Sequence, residues 1–392
     1  MAKYSLASTT WDEQEIDAIN DVVKSGKYSM GERVLAFEAE FAKKMGSKFS
    51  VMVNSGSSAN LILVSACRYL KKPKLMPGDE VIVPAVSWST TYYPVTQIGA
   101  VLKFVDIDPD TLNIDVTKIE EAITPKTKAI LVVNLLGNPA DWDSLKKIAD
   151  KHGLLLLEDN CESLGATLGG KQLGTFGLGG TYSSFFSHHI STMEGGLIAT
   201  DDEELYQVMK SLRAHGWTRD LPEKNHVYDK TGNAWDDLFR FVLPGYNVRP
   251  LEMEAAIGSV QLRKLDSFIA ARRKNAKIFQ SAMQGLDGYR IQKENGDSSW
   301  FGFSLILEGK LKGKRAGLIS ALTEAEIDSR PIVTGNFARN PVIEHLPHLE
   351  IGPLPGADDI HDNGLFVGNH HYDLSNELDL LIETLKNFER SI

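Results

Sequence analysis

Two adjacent imidazoles, His188 and His189, stand where a short apolar run, SSFFS at residues 183–187, gives way to a polar segment ending in Glu194, Gly195 and Gly196. The run is aromatic and β-compatible, which predicts a buried strand with the histidines at its end. An imidazole with a pKa of about 6.5 exchanges protons at neutral pH, so general acid–base chemistry is available here. The competing use of a lone histidine is as a core residue with both nitrogens satisfied. A second group follows the run LLLLEDN, with Asp159 at its end and Glu162 one helical turn on. A third is Asn54-Ser55-Gly56-Ser57-Ser58, between an apolar strand and a helix carrying Leu61, Leu63, Val64 and Ala66. Free backbone N–H groups and the helix dipole point together at such a turn and bind an anion. The same residues also make an ordinary capped helix start.

These groups need a scaffold that gathers them. EVIVPA, VLKFVDI, KAILVVN, LLLLEDN and the SSFFS run are apolar without alternation, as expected of strands buried on both faces of a parallel sheet in an α/β protein. Ligands of such sheets bind beyond the carboxyl ends of the strands, which predicts that Asn134, Asp159, Glu162 and His188 converge on one crevice. Trp88, Tyr92 and Tyr93 follow a strand end, either as core aromatics or as part of that crevice. Ahead of the sheet, Ile16, Ile19, Val22 and Val23, then Val34, Phe37 and Phe41, recur at helical intervals and predict two packing helices. After EGGLIAT a helix starts at Asp201 or Asp202 and runs to about Arg213, followed by His215-Gly216-Trp217-Thr218-Arg219 and a long polar excursion. A long helix after PGYNVRP marks a change of domain, giving a large domain over 1–250 and a smaller α+β domain over 251–392.

With 392 residues the chain is long enough for two cores. Apolar residues at 42% and charged ones at 24% are those of an ordinary globular protein. A net charge of −10 argues against nucleic acid or an anionic membrane surface as partner. No apolar stretch approaches the ~18 residues of a membrane span. The opening MAKYSLASTTWDEQE lacks a leader pattern, so the cytoplasm is the expected location. Cys67 and Cys161 are far apart and without metal-type spacing, which predicts reduced thiols and no metal site.

Taken in order, SGSSANL, PAVSWSTT, VNLLGNP, LEDNCESLGA, SSFFSHHI, EGG, RAHGWTR, PGYNVRP and RPIVTGN resemble the pyridoxal-phosphate sugar aminotransferases of the DegT/DnrJ/EryC type along nearly the whole chain. The resemblance implies the aspartate aminotransferase fold (fold type I) and a homodimer with shared active sites. It implies pyridoxal 5'-phosphate or pyridoxamine 5'-phosphate as cofactor, with Gly56, Ser57 and Ser183 on the phosphate, Trp88 stacked on the ring and Asp159 as counter-charge to the ring nitrogen. Asn247 resembles the residue lent by the neighbouring subunit. Glu162 either orients the histidine beside the cofactor or carries a structural bond. His215 and Arg219 either contact substrate or lie in a solvated loop, and Arg330 resembles a residue that receives a carboxylate or phosphate. His189 stands behind His188.

One position departs from the family. Where His188 stands, the family has the lysine that binds the cofactor covalently. Histidine there matches a small branch, the 3-dehydratases that act on GDP-4-keto-6-deoxymannose in the biosynthesis of colitose, a lipopolysaccharide O-antigen sugar. The branch implies a lyase that dehydrates a 4-keto-6-deoxy nucleotide sugar at C3, with His188 as base and L-glutamate restoring the amine form of the cofactor. Two other readings stand beside it. One is a sugar aminotransferase acting on a nucleotide sugar or an octulosonate sugar with glutamate as amino donor. The other is a catalytically silent relative that only binds cofactor or nucleotide sugar.

Overall fold

The continuous apolar runs become the strands of one sheet. The structure, a computed structural model, describes residues 2–72, 74–350 and 352–392. In chain order the strands used below are β1 (Phe49–Val53), β2 (Glu80–Pro84), β3 (Val101–Val105), β4 (Thr127–Val133), β5 (Leu155–Asp159), β6 (Gly179–Ser183), β7 (Gly196–Thr200), β8 (Tyr289–Arg290), β9 (Gly302–Leu307), β10 (His348–Glu350) and β11 (Gly364–Gly368). Among the described residues, eight of them form a sheet in the order β1-β7-β6-β5-β4-β2-β3-β10. All neighbours from β6 to β10 run parallel, while β7 is antiparallel to both β1 and β6. This is an α/β fold with a mostly parallel sheet.

Both faces of that sheet are covered, which is why its strands read as unbroken apolar runs. Val81, Val83, Leu131 and Leu157 point into one core with the helix Gly56–Cys67, whereas Ile82, Ile130, Val132 and Leu156 point into another around Trp142 and Leu145. A three-stranded antiparallel sheet, β8-β9-β11, forms the second lobe with the helices Arg315–Glu324 and Ser375–Ser391. Tyr4, from the N-terminal segment, is buried in that lobe and donates to the carbonyl of Gly368. The helix Glu252–Met283 joins the lobes. Its Ala255, Leu262 and Leu265 pack beside Phe37 and Phe41, and its Ala276, Phe279 and Met283 pack beside Phe303 and Leu385. No helix among the described residues is long and apolar enough to cross a membrane.

The structure departs from the sequence expectations at three places. The strand before the histidines is Gly179–Ser183, and Phe185 and Phe186 follow it with 39% and 47% of their surfaces exposed. Gly180 passes so close to the backbone of Gly174 that a Cβ would collide with it, so a glycine-rich stretch of poor strand propensity is selected by close approach. In the helix Glu13–Ser25, Val22 is buried, but Ile16 and Val23 lie half exposed on this single chain. Asn134 is fully buried and turned away from the crevice. Its Nδ2 donates to Asn160 Oδ1 (2.7 Å), and its Oδ1 accepts from the amide of Ala140 (2.9 Å) and from Trp142 Nε1 (3.1 Å). Asn134→Ala strands two donors and an acceptor in the core. It should cost about 3 kcal/mol of stability in urea unfolding while leaving the crevice geometry intact.

Candidate active site

A cavity of about 320 Å³ opens at the carboxyl ends of the parallel strands. One corner is the start of the helix Gly56–Cys67, where the Ser55 side chain accepts from the amide of Ser58. A Cβ on Gly56 would lie 2.6 Å from Cβ of Ser183 and 3.0 Å from Sγ of Cys161. Only glycine therefore lets this helix terminus close on the ends of β5 and β6. Ser55, Gly56, Ser57 and Ser183 line the corner, and Ser57 donates to Thr90 Oγ1 (2.9 Å). Exposed amides, hydroxyls and a helix dipole suit a phosphate.

Asp159 ends β5 and is 5% exposed. Its Oδ2 accepts from Asn60 Nδ2 (2.8 Å) and Thr91 Oγ1 (2.7 Å), and its Oδ1 from the amide of Cys161 (3.1 Å). All three donors are neutral. A carboxylate in such a place still calls for a positive charge, and a protonated pyridine nitrogen fits that requirement. Asn60 is itself held by Thr181 Oγ1 (2.6 Å), and Thr91 by Ser87 (2.8 Å). Trp88 precedes the helix Ser89–Gln97 and lines the cavity with 57% of its surface exposed, so it forms a wall of the cavity and is not a core residue.

Glu162 also lines the cavity and accepts from the amide of Leu136 (3.1 Å). Burial raises its pKa to about 7, opposed by that N–H and reinforced by the charge of Asp159. It makes no hydrogen bond to His188, so of the two roles open to it, the structural bond is the one present. His188 sits in a turn whose amide donates to the carbonyl of Phe185 (2.9 Å), with its ring 5.2 Å from that of Phe301 and 6.0 Å from that of Phe185. Its Nδ1 is enclosed without a partner, which leaves Nε2 as the nitrogen able to exchange protons in the cavity. Burial, then repulsion from Arg272, lowers its pKa to about 4. The imidazole is therefore neutral at physiological pH, as a base must be. His189 is buried behind it, against the same Phe301 ring.

The cavity thus gathers Gly56, Ser57, Trp88, Asp159, Glu162, Ser183, His188 and, from the second lobe, the exposed Arg330. Three residues singled out in the sequence lie elsewhere in this chain. Asn247 accepts from Arg249 Nε (3.0 Å), the His215 ring lies 4.8 Å from that of Trp217, and the Arg219 guanidinium covers Trp217 at 4.1 Å. Asn60, Thr91 and Phe301 were not anticipated. The first two fall inside SGSSANL and PAVSWSTT, but nothing local signals a bond to a carboxylate 99 or 68 positions away. Phe301 reads only as part of an apolar strand.

The family model described as the DegT/DnrJ/EryC1/StrS aminotransferase family matches residues 9–385. A GDP-4-keto-6-deoxy-D-mannose 3-dehydratase of Yersinia pseudotuberculosis is 55% identical over 388 residues, which cover 98% of this chain and 99% of that protein. A solved mutant of GDP-4-keto-6-deoxymannose-3-dehydratase with bound GDP-perosamine aligns with a TM-score of 0.96 at 53% identity, covering 98% of this chain and 100% of the other. A further structure of that enzyme with a trapped PLP-glutamate geminal diamine gives 0.95 at 52% identity and the same coverage.

The raised pKa of Glu162 carries a stability signature. A carboxyl held above its unfolded value favours the folded state at acid pH, and that advantage is lost as pH rises through about 7. Glu162→Gln, which keeps an acceptor for Leu136 and cannot ionise, should stabilise the ligand-free protein by on the order of 1 kcal/mol at pH 8 and by little at pH 4. Parallel urea titrations at the two pH values measure this.

Proposed function

Since the chain belongs to the DegT/DnrJ/EryC1/StrS aminotransferase family, we propose that it is a lyase that removes the C3 hydroxyl of a 4-keto-6-deoxy nucleotide sugar. GDP-4-keto-6-deoxymannose, the substrate in the name of the 55% identical relative, is the sugar assigned here. One observation carries the reading: among the described residues lining the cavity there is no lysine, and a neutral imidazole, His188, lines it together with the buried Asp159. No side chain described in that cavity carries the primary amine a Schiff base with the cofactor requires, yet a base is present.

When bound, pyridoxamine 5'-phosphate, the amine form of pyridoxal 5'-phosphate, supplies an amine that condenses with the C4 ketone and a ring that takes up electrons as the C3 hydroxyl departs. In this reading Gly56, Ser57 and Ser183 hold the phosphate, Trp88 covers one face of the ring, and Asp159 keeps the ring nitrogen protonated, with Glu162 beside it. His188 accepts a proton on Nε2 and can return it, because its resting form is neutral. L-Glutamate is the amine source, and the exposed guanidinium of Arg330 is suited to its carboxylate.

The proposal includes a homodimer in which Asn247, His215 and Arg219 of each copy serve the cavity of the other. Two features favour it. Those residues sit away from the cavity of their own chain, and exposed apolar side chains stand on the cavity wall (Trp88, Phe185), next to it on Phe186, and along the 215–251 segment (Trp235, Phe239, Phe241). The cofactor belongs to a 1–250 domain, with Arg330 reaching in from a 251–392 domain. Cytoplasmic action, in keeping with the two unpaired cysteines, and a role in making colitose for lipopolysaccharide belong to the same proposal.

Product analysis tests the reaction. With GDP-4-keto-6-deoxymannose, cofactor and glutamate, the protein should release one ammonia and one 2-oxoglutarate per 3-deoxysugar; nitrogen retained on the sugar would assign an aminotransferase instead. His188→Asn should lower turnover by at least about 10²-fold while retaining cofactor in equilibrium dialysis. Asp159→Asn should lose about 10³-fold or more in kcat without loss of folded structure by circular dichroism. Borohydride treatment should leave no cofactor attached to the chain.

A further inference from the structure

Behind the two imidazoles lies a buried positive charge that no carboxylate neutralises. Arg272, 4% exposed, projects from the helix Glu252–Met283. Its Nη1 donates to the carbonyls of Asn369 (2.8 Å), Phe301 (3.1 Å) and Trp300 (3.5 Å), and its Nε has no partner. The other deeply buried arginine, Arg213, has Glu38 as counter-ion. Burial lowers the pKa of Arg272 to about 10, and no carboxylate acts against that shift. It remains charged at neutral pH. His188, His189, His370 and His371 all have pKa values lowered by burial first, with repulsion from Arg272 among the further causes.

An unpaired buried guanidinium is expensive, and apolar replacements often stabilise such places. Its contacts connect it to the base. The carbonyls it gathers come from residues 300 and 301 and from Asn369, and Asn369 Nδ2 donates back to the carbonyls of Trp300 (2.9 Å) and Arg272 (3.1 Å). The ring of Phe301 is the wall against which His188 packs. The geometry points to Arg272 as a positioning residue of the active site: its unpaired charge disfavours a proton on His188, and its bonds fix the Phe301 wall that seats that ring. This rests on the reading of His188 as base. The need follows from the ligands, since a cofactor phosphate and a nucleotide diphosphate both bring negative charge, which favours imidazolium. The same cavity carries Asp159, Glu162, Glu194, Cys161 and Arg330, and His189 adjoins His188 along the chain. Arg272 supplies the opposing charge from the closed side.

The test is a histidine-selective NMR titration from about pH 2.5 to 8, on the cofactor-free protein and the holoenzyme, with the His188 resonance assigned by its loss in His188→Asn. Arg272→Gln should raise the His188 midpoint by about one pH unit, and the acid limb of kcat should rise with it while KM for the sugar stays within about twofold. Arg272→Lys, which keeps the charge, should leave the midpoint within a few tenths of the wild-type value. His371→Glu brings a carboxylate to the same cluster without touching the carbonyl contacts, and it should raise the midpoint even if Arg272→Gln does not fold. An unmoved midpoint in His371→Glu and in folded Arg272→Gln overturns the inference. So does Arg272→Lys moving it as far as Arg272→Gln, or a raised midpoint with an unmoved acid limb. The NMR midpoint is read without turnover, so it stands or falls separately from the product analysis that tests the dehydratase reading.

Discussion

A carboxylate held almost out of water by neutral donors is the constraint around which this molecule is arranged. Asp159 draws one hydrogen bond from the helix after β1, one from the helix after β2 and one from its own loop. Two strand–helix units and the loop after β5 are thereby tied to one pair of oxygens. Hydrogen bonds to a charged group contribute about 1.5–3 kcal/mol each, and removing a carboxylate from water costs several. The site is thus affordable in the resting protein and still electrostatically unfinished. Completion by a cation is built into the scaffold, and the close approach licensed by Gly56 sets the anion corner at a fixed offset from it.

The second departure from neutrality has the opposite sign. A lysine at the position of His188 would have put a primary amine, charged unless desolvated, beside the Phe301 wall. An imidazole changes both the charge and the covalent possibilities of the cavity. Two charges of opposite sign, on Asp159 and Arg272, are planted on strand and helix, and a titratable group near each, Glu162 by the first and His188 by the second, is displaced from its ordinary value, the one upward and the other downward. That pattern, an acid made weaker and a base left neutral, is how a site can hold and accept protons at one pH.

What the sequence disclosed depended on whether the signal was local. The buried parallel strands were legible because two-sided burial removes alternation, and the helix from Glu203 was legible because Asp202 caps it through the amide of Leu205. Gly56, Asp159, His188 and Arg330 sit in motifs whose order along the chain mirrors their convergence. The strand β6 begins with two glycines, Gly180 fitted against Gly174 and Gly179 against Leu63, and they hide a strand that the neighbouring phenylalanines imitate. Asn134 was misassigned to the crevice since a polar residue after a strand looks the same whether it faces the ligand or ties down the next loop. The roles of Asn60, Thr91, Phe301 and Arg272 lie in partners far along the chain, which no periodicity records.

The edge strand β10 comes from the C-terminal part of the chain, yet it lies in the large sheet, pairing with β3 through His348, Leu349 and Glu350. Together with the 32-residue helix that packs in both lobes, it pins the second lobe to the first at two separated places. A hinged swing of one lobe over the other would tear that ladder. The two lobes are accordingly held together by backbone pairing at the sheet edge as well as by side-chain packing along one helix.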